Sequence, residues 1–219
     1  MAERIEPGVT RGPDRISFAA LDVDILNAAA IPGNHIIVFK KIIRDGRSPD
    51  ELAGVLAHEI AHVRRRHVTE ALLRELGIGA LIRLFAGGIG ANTQQLVSLS
   101  YTRANEAQAD ADAIESLKRA GIDPRPTADL FARLGSKNGD NASLQWLQSH
   151  PASGGRAKRF AASYDPKTTY RPAISDTHAT ALYDVCLRPD TRPSLPPPEA
   201  RVTRGRNVPP VRPEPAPRR

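Results

Sequence analysis

An α+β, mostly helical domain is the fold this sequence predicts, and three observations carry the prediction. Two long segments, one opening at Ser48 and one closing at Ala120, combine helical signals with recognisable ends. A single short, apolar, β-branched region precedes them, at His35 to Ile43. From residue 188 the composition changes to Pro and Arg, so the domain is expected over 1–185 and a tail over 186–219.

The strand region comes first. His35-Ile36-Ile37-Val38-Phe39 follows the breaker Pro32-Gly33-Asn34, and its apolar character runs on to Ile43, where the strand is expected to end. The first long helix has Ser48 as N-cap, Pro49 at the first helical position and Glu51 completing a capping box. Leu52, Val55, Leu56, Ile60 and Val63 then recur on one buried stripe. Arg64-Arg65-Arg66 are expected on a solvated face, and Gly77 and Gly79 where the helix weakens. The second long helix is expected from about Gln95 to Ala120, stopped by Gly121 with Pro124 beyond. Shorter helices are expected near 125–135 and 142–148. With 40% apolar and 5% aromatic residues, the core must be modest and built from Leu, Ile, Val and Ala.

The first long helix carries His58-Glu59-Ile60-Ala61-His62, an H-E-x-x-H arrangement. Residues four apart share a helix face, so both imidazoles can reach one metal. Glu59 follows the first histidine directly, which puts a carboxylate where it can take a proton from water at the metal. The structural alternative is a pair of core or surface histidines on an amphipathic helix. With only six histidines in 219 residues, the metal reading is preferred.

Two histidines leave tetrahedral zinc short of a protein ligand. Glu106 and Asp110, four apart on the second long helix, can complete the set: Glu106 on the metal, Asp110 holding a ligand imidazole by its other nitrogen. Small residues at 104, 107, 109, 111 and 113 would let the two helices approach closely. Alone, such a pair would read as a solvated acidic face; after an H-E-x-x-H it reads as metal-binding.

These segments, 44 residues apart from His62 to Glu106, resemble the HtpX and CAAX-prenyl-protease type of zinc metalloendopeptidases, metallopeptidase family forty-eight. Its compact bacterial envelope and mitochondrial quality-control members are the most similar. The likeness covers about Asp22 to Phe160 and rests on Asn27 to Gly33, Glu51 to Glu59, Arg103 to Asp110, Ala120 to Pro124 and Ser149-His150-Pro151. It implies a zincin-like metalloprotease domain binding one Zn2+ through His58, His62 and Glu106, with Glu59 as general base and Asp110 behind a ligand. It also implies that His150 lies near the metal, either stabilising the tetrahedral intermediate or occupying zinc in a resting form. His67 has a counterpart too, whose expected role is packing or charge. Ala29, Asn34, Thr102 and Gln108 replace the Phe, Gly, Ser and Glu usual in the family, and no implied ligand is missing.

The expected chemistry is hydrolysis of peptide bonds in unfolded, misfolded or membrane-associated polypeptides. Pairing of an extended substrate with His35–Phe39 would read backbone rather than side chain, although a purely structural strand fits equally. A non-catalytic, zinc-stabilised binding or chaperone-like module is the alternative, against which Glu59 speaks, since a structural site needs no base.

Residues 188–219 hold ten prolines and eight arginines against three acids, a charge of +5 out of the chain's +7. Such a segment is expected to be disordered and partly polyproline II, open to an anionic membrane surface or a Pro-recognising partner, or simply solvated. Nucleic acid is not an expected partner, because base-stacking aromatics are missing from this stretch. Cys186 is the only cysteine, so no intrachain disulfide is expected. Residues 1–13 lack the apolar core of a signal peptide, and Leu76–Gly90, interrupted by Arg83, is too short to span a bilayer. That stretch is expected to be an interfacial hairpin, a flap over the site or buried core. The sequence as written reads as cytoplasmic; the resemblance points to a membrane or envelope.

Overall fold

The computed structural model describes residues 1–85, 100–135, 146–151 and 155–187. Its elements follow in the order α1 (Ala2–Ile5), β1 (Ser17–Leu21), β2 (Ala28–Ile31), β3 (His35–Phe39), α2 (Lys40–Arg44), α3 (Pro49–Arg64) and α4 (His67–Phe85). After these come α5 (Arg103–Ala120), α6 (Arg125–Leu134), α7 (Arg156–Ala162) and α8 (Asp176–Leu187), with one helical turn at 146–149. Mostly helical with one small sheet, this is the expected fold class. The sheet has the order β1-β3-β2: β1 runs parallel to β3 and β2 antiparallel to it.

The expected strand stops at Phe39, four residues early. Apolarity continues through Ile42 and Ile43, but the alternation of a strand does not. In helical phase, Lys40 and Arg44 both reach Asp22, at 3.3 and 3.0 Å, while Ile42 and Ile43 turn into the core. Pairing with both neighbours also makes β3 the central strand. It therefore has no free edge for a substrate, and the edge beside the site belongs to β2.

Helix α3 is the axis of the domain. Ser48 caps it by accepting from the Glu51 amide, but the expected box is not closed, because the Glu51 carboxylate takes the Arg47 amide at 3.0 Å and pairs with Arg133 at 2.8 Å. The single buried stripe is an underestimate, since every residue from Glu51 to Val63 is buried. The faces between the large residues carry Ala53, Gly54, Ala57 and Ala61, which let neighbours close in. A β-carbon on Gly54 would lie 1.9 Å from Thr127 Oγ1 of α6, so only glycine fits there. The helix ends at Arg64, earlier than expected: Arg66 adopts φ of 59° and turns the chain into α4. Arg64–Arg66 are exposed as expected, and Gly77 does break the following helix, at φ 73° and ψ 169°.

Helix α5 begins only at Arg103, where Thr102 and Asn105 form a reciprocal capping box, and ends at left-handed Gly121. Its buried side is Asn105, Glu106, Ala109, Asp110, Ala113, Ser116 and Leu117. Of the small residues expected at the interface, Ala109 and Ala113 are there; Ala104, Ala107 and Ala111 are exposed. Residues 95–99 of that expected helix, 142–145 of the helix near 142–148, 86–90 of the apolar stretch and the whole of 188–219 lie outside the described residues. Among the described residues no helix is long and apolar enough to cross a membrane.

Candidate metal centre

The third turn of α3 points His58 and His62 at α5, whose first turn presents Glu106. The turn at 146–149 then delivers His150 to the same point, its amide bonded to the Trp146 carbonyl at 2.9 Å. One ligand atom from each of these four residues lies within 4.8 Å of the others, and all four side chains are buried.

The spacings define a polyhedron. His58 Nε2 is 3.0 Å from His62 Nε2, 3.5 Å from Glu106 Oε2 and 3.4 Å from His150 Nδ1. Glu106 Oε1 is 3.2 Å from both His62 Nε2 and His150 Nδ1. A tetrahedral cation bonded at about 2.0–2.1 Å holds its ligand atoms about 3.3–3.4 Å apart. The four groups therefore fit one such ion. Beside this set the buried Glu59 Oε1 and His150 Nε2 face each other at 3.4 Å, with no hydrogen-bonded partner for either among the described residues.

Further buried polar groups surround this set. Asp110 Oδ1 lies 3.1 Å from His58 Nδ1, as its spacing predicts. Glu59 is not among the four; its Oε2 accepts from the Ala30 amide of β2 at 2.8 Å. Burial pushes the Glu59 carboxyl above the ordinary range, although the His150 and His58 charges oppose it. For His58 burial works downward, but Glu106 and Asp110 outweigh it and raise the imidazole to about 9. Burial and the neighbouring His58 charge push His62 well down. Glu106 and Asp110 stay far below the usual carboxylate range despite burial, because of the imidazoles and Arg156 around them.

Several participants escaped the sequence reading. Arg156 of α7 ion-pairs with Glu106 and, at 3.0 Å, with Asp110, and Arg159 reaches Asp110 at 2.6 Å. Tyr101 stacks on His62 at 3.8 Å, and Trp146 on His150 at 4.3 Å. The only tryptophan standing four residues before a His-Pro was the available signal. His67, expected to pack or carry charge, lies outside the four, with its Nδ1 3.0 Å from His62 Nδ1.

The free edge of β2 is closed. Ala30 gives its amide to Glu59, its carbonyl accepts from the Tyr101 hydroxyl at 3.4 Å, and the Ala28 amide bonds to Asn27 Oδ1 at 2.9 Å. Asn27 in turn donates to Ser149 Oγ at 3.1 Å, tying the edge to the His150 segment. Gly33 and Asn34 turn β2 into β3 with φ of 88° and 60°; asparagine tolerates that left-handed geometry, which explains why it can stand where the resembled family has glycine.

An H-E-x-x-H helix, a glutamate-bearing helix packed on it and a small sheet at its side define a zincin-like metal domain. The chain belongs to peptidase family M48, which it matches over residues 9–163. It is 32% identical over 153 residues to the mitochondrial metalloendopeptidase OMA1 of Arabidopsis thaliana, covering 67% of this chain and 31% of that protein. With the beta-barrel assembly-enhancing protease of Yersinia pestis it shares 30% over 139 residues, 55% of this chain and 28% of that one. Identity to the metalloprotease LoiP of Escherichia coli is 30% over 154 residues, 65% and 59% of the two chains. The chain thus spans about three tenths of the first two relatives.

Proposed function

We propose that this chain is a zinc metalloendopeptidase that hydrolyses peptide bonds in unfolded, misfolded or membrane-associated polypeptides. The observation that carries the reading is the gathering of His58, His62, Glu106 and His150, with ligand atoms within 4.8 Å of one another, beside a buried carboxylate, Glu59, that is not one of the four. Zinc bound there supplies Lewis acidity for the attacking water and the scissile carbonyl. Glu59 takes the proton from that water and returns it to the leaving amine. Asp110 orients His58, while Arg156 holds the Glu106 and Asp110 carboxylates.

The described arrangement is a resting one. His58, Glu59, His62, Glu106 and His150 have no exposed surface, so a polypeptide cannot reach them. His150 sits where water would have to stand, with one nitrogen in the ligand cluster and the other toward Glu59. In the working enzyme the 146–151 segment withdraws and removes His150, and an extended substrate takes the edge of β2 only as Glu59, Tyr101 and Asn27 release it as well. The names of the relatives, one mitochondrial and one tied to beta-barrel assembly, support action at a membrane or envelope. The basic tail would supply contact with an anionic surface or a Pro-recognising partner.

Four protein ligands and complete burial also favour a second reading, a zinc-stabilised binding or chaperone-like module, because structural zinc sites are closed. Casein cleavage by zinc-loaded wild type and Glu59→Gln, with bound zinc quantified, separates the two. Cleavage by wild type alone at equal zinc supports the peptidase. Full zinc without cleavage by either, even after His150→Ala, would leave the structural module.

A further inference from the structure

We propose that His67 and Gln108 form a one-way hydrogen-bond relay that fixes the tautomer of His62 and presents its Nε2 lone pair to the metal; this rests on the metal-binding reading above. The two ligand histidines of α3 are held differently. His58 has a carboxylate behind it, Asp110 at 3.1 Å. His62 has another imidazole, with His67 Nδ1 at 3.0 Å from its own Nδ1, and His67 Nε2 lies 3.2 Å from Gln108 Oε1.

Only one assignment of protons satisfies this chain and a metal together. Two facing Nδ1 atoms need one donor and one acceptor. His62 Nε2 points at His58 and Glu106, so a metal there requires it bare, which places the His62 proton on Nδ1. That proton is donated to His67 Nδ1, which must then be bare. His67 therefore carries its proton on Nε2 and donates it to the Gln108 carbonyl oxygen. The reverse chain, with the Gln108 amide donating inward, would put a proton on His62 Nε2 and expel the metal. His67 is 2% exposed, so water does not offer a ready substitute for either partner. The side chain of Gln108 is exposed, which makes it the adjustable outer end of the relay.

His67 and Gln108 are thus positioning residues, and the test must read metal binding as well as turnover. Zinc affinity of the full chain is measured by competition with a chromophoric chelator for wild type, His67→Leu, His67→Asn and Gln108→Met. Imidazole nitrogen shifts of the zinc-loaded protein report the tautomers. Groups behind a metal-binding histidine are typically worth 10–100-fold in affinity. The relay predicts a loss of about that size for His67→Leu and a smaller one for Gln108→Met. It predicts recovery in His67→Asn, whose amide oxygen can accept in place of Nδ1. Gln108→Met guards against misfolding, being a change at an exposed position. Unaltered affinity in His67→Leu, or a proton found on His67 Nδ1, overturns the relay alone. A wild type that takes up no zinc sinks the site and the relay together.

Discussion

Glu59 and His150 face each other across 3.4 Å, and which of them meets water decides how the site behaves. If His150 blocks the resting site, His150→Ala raises casein hydrolysis while zinc is retained by His58, His62 and Glu106. A fall of about 10²–10³-fold, the usual cost of losing a transition-state donor, would instead make His150 an oxyanion stabiliser. Assays of both proteins at matched zinc content distinguish these outcomes. Arg156 gives a second test at this scale. It is 7% exposed and neutralises two buried carboxylates, so Arg156→Met is expected to cost about 3–5 kcal/mol in urea unfolding. Little change would mean that the two carboxylates do not depend on it.

Between elements, the close approach of α3 and α6 at Gly54 is the most exacting contact. Gly54→Ala forces a methyl into Thr127 and is expected to destabilise by about 1–3 kcal/mol, measured by denaturant unfolding. Thr127→Gly in the same chain should recover part of that loss. The sequence made α3 legible through Ser48, Pro49 and Glu51, because caps act locally. It made His58, His62, Glu106 and Asp110 legible because each pair lies one helical turn apart. What stayed hidden depends on contacts between distant segments. Arg156 comes to Glu106 from 50 residues away, and Tyr101 reaches the β2 edge from 71. The end of β3 is not legible because Ile42 and Ile43 are equally apolar in either geometry; the pairing of Lys40 and Arg44 with Asp22 decides it. The full burial of α3 was missed because glycine and alanine faces look neutral by periodicity until partners close on them.

For the whole molecule, the candidate metal centre is the crossing point of α3, α5 and the 146–151 segment. A cation held there would link segments that lie far apart along the chain. Removing it with a chelator is expected to lower the unfolding temperature, and excess zinc to restore it. The gain is about 2.7 kcal/mol when free metal is a hundredfold above its dissociation constant. An unfolding temperature that chelation leaves unchanged would show that metal does not organise the domain.

The measurement that tests the central claim most directly is zinc K-edge X-ray absorption of the loaded wild-type chain. Three imidazole nitrogens and one carboxylate oxygen at about 2.0–2.1 Å are predicted, with one nitrogen lost in His150→Ala. A shell of five or six oxygens, or one that His58→Ala and Glu106→Gln leave unaltered, would contradict the claim that His58, His62, Glu106 and His150 hold one zinc.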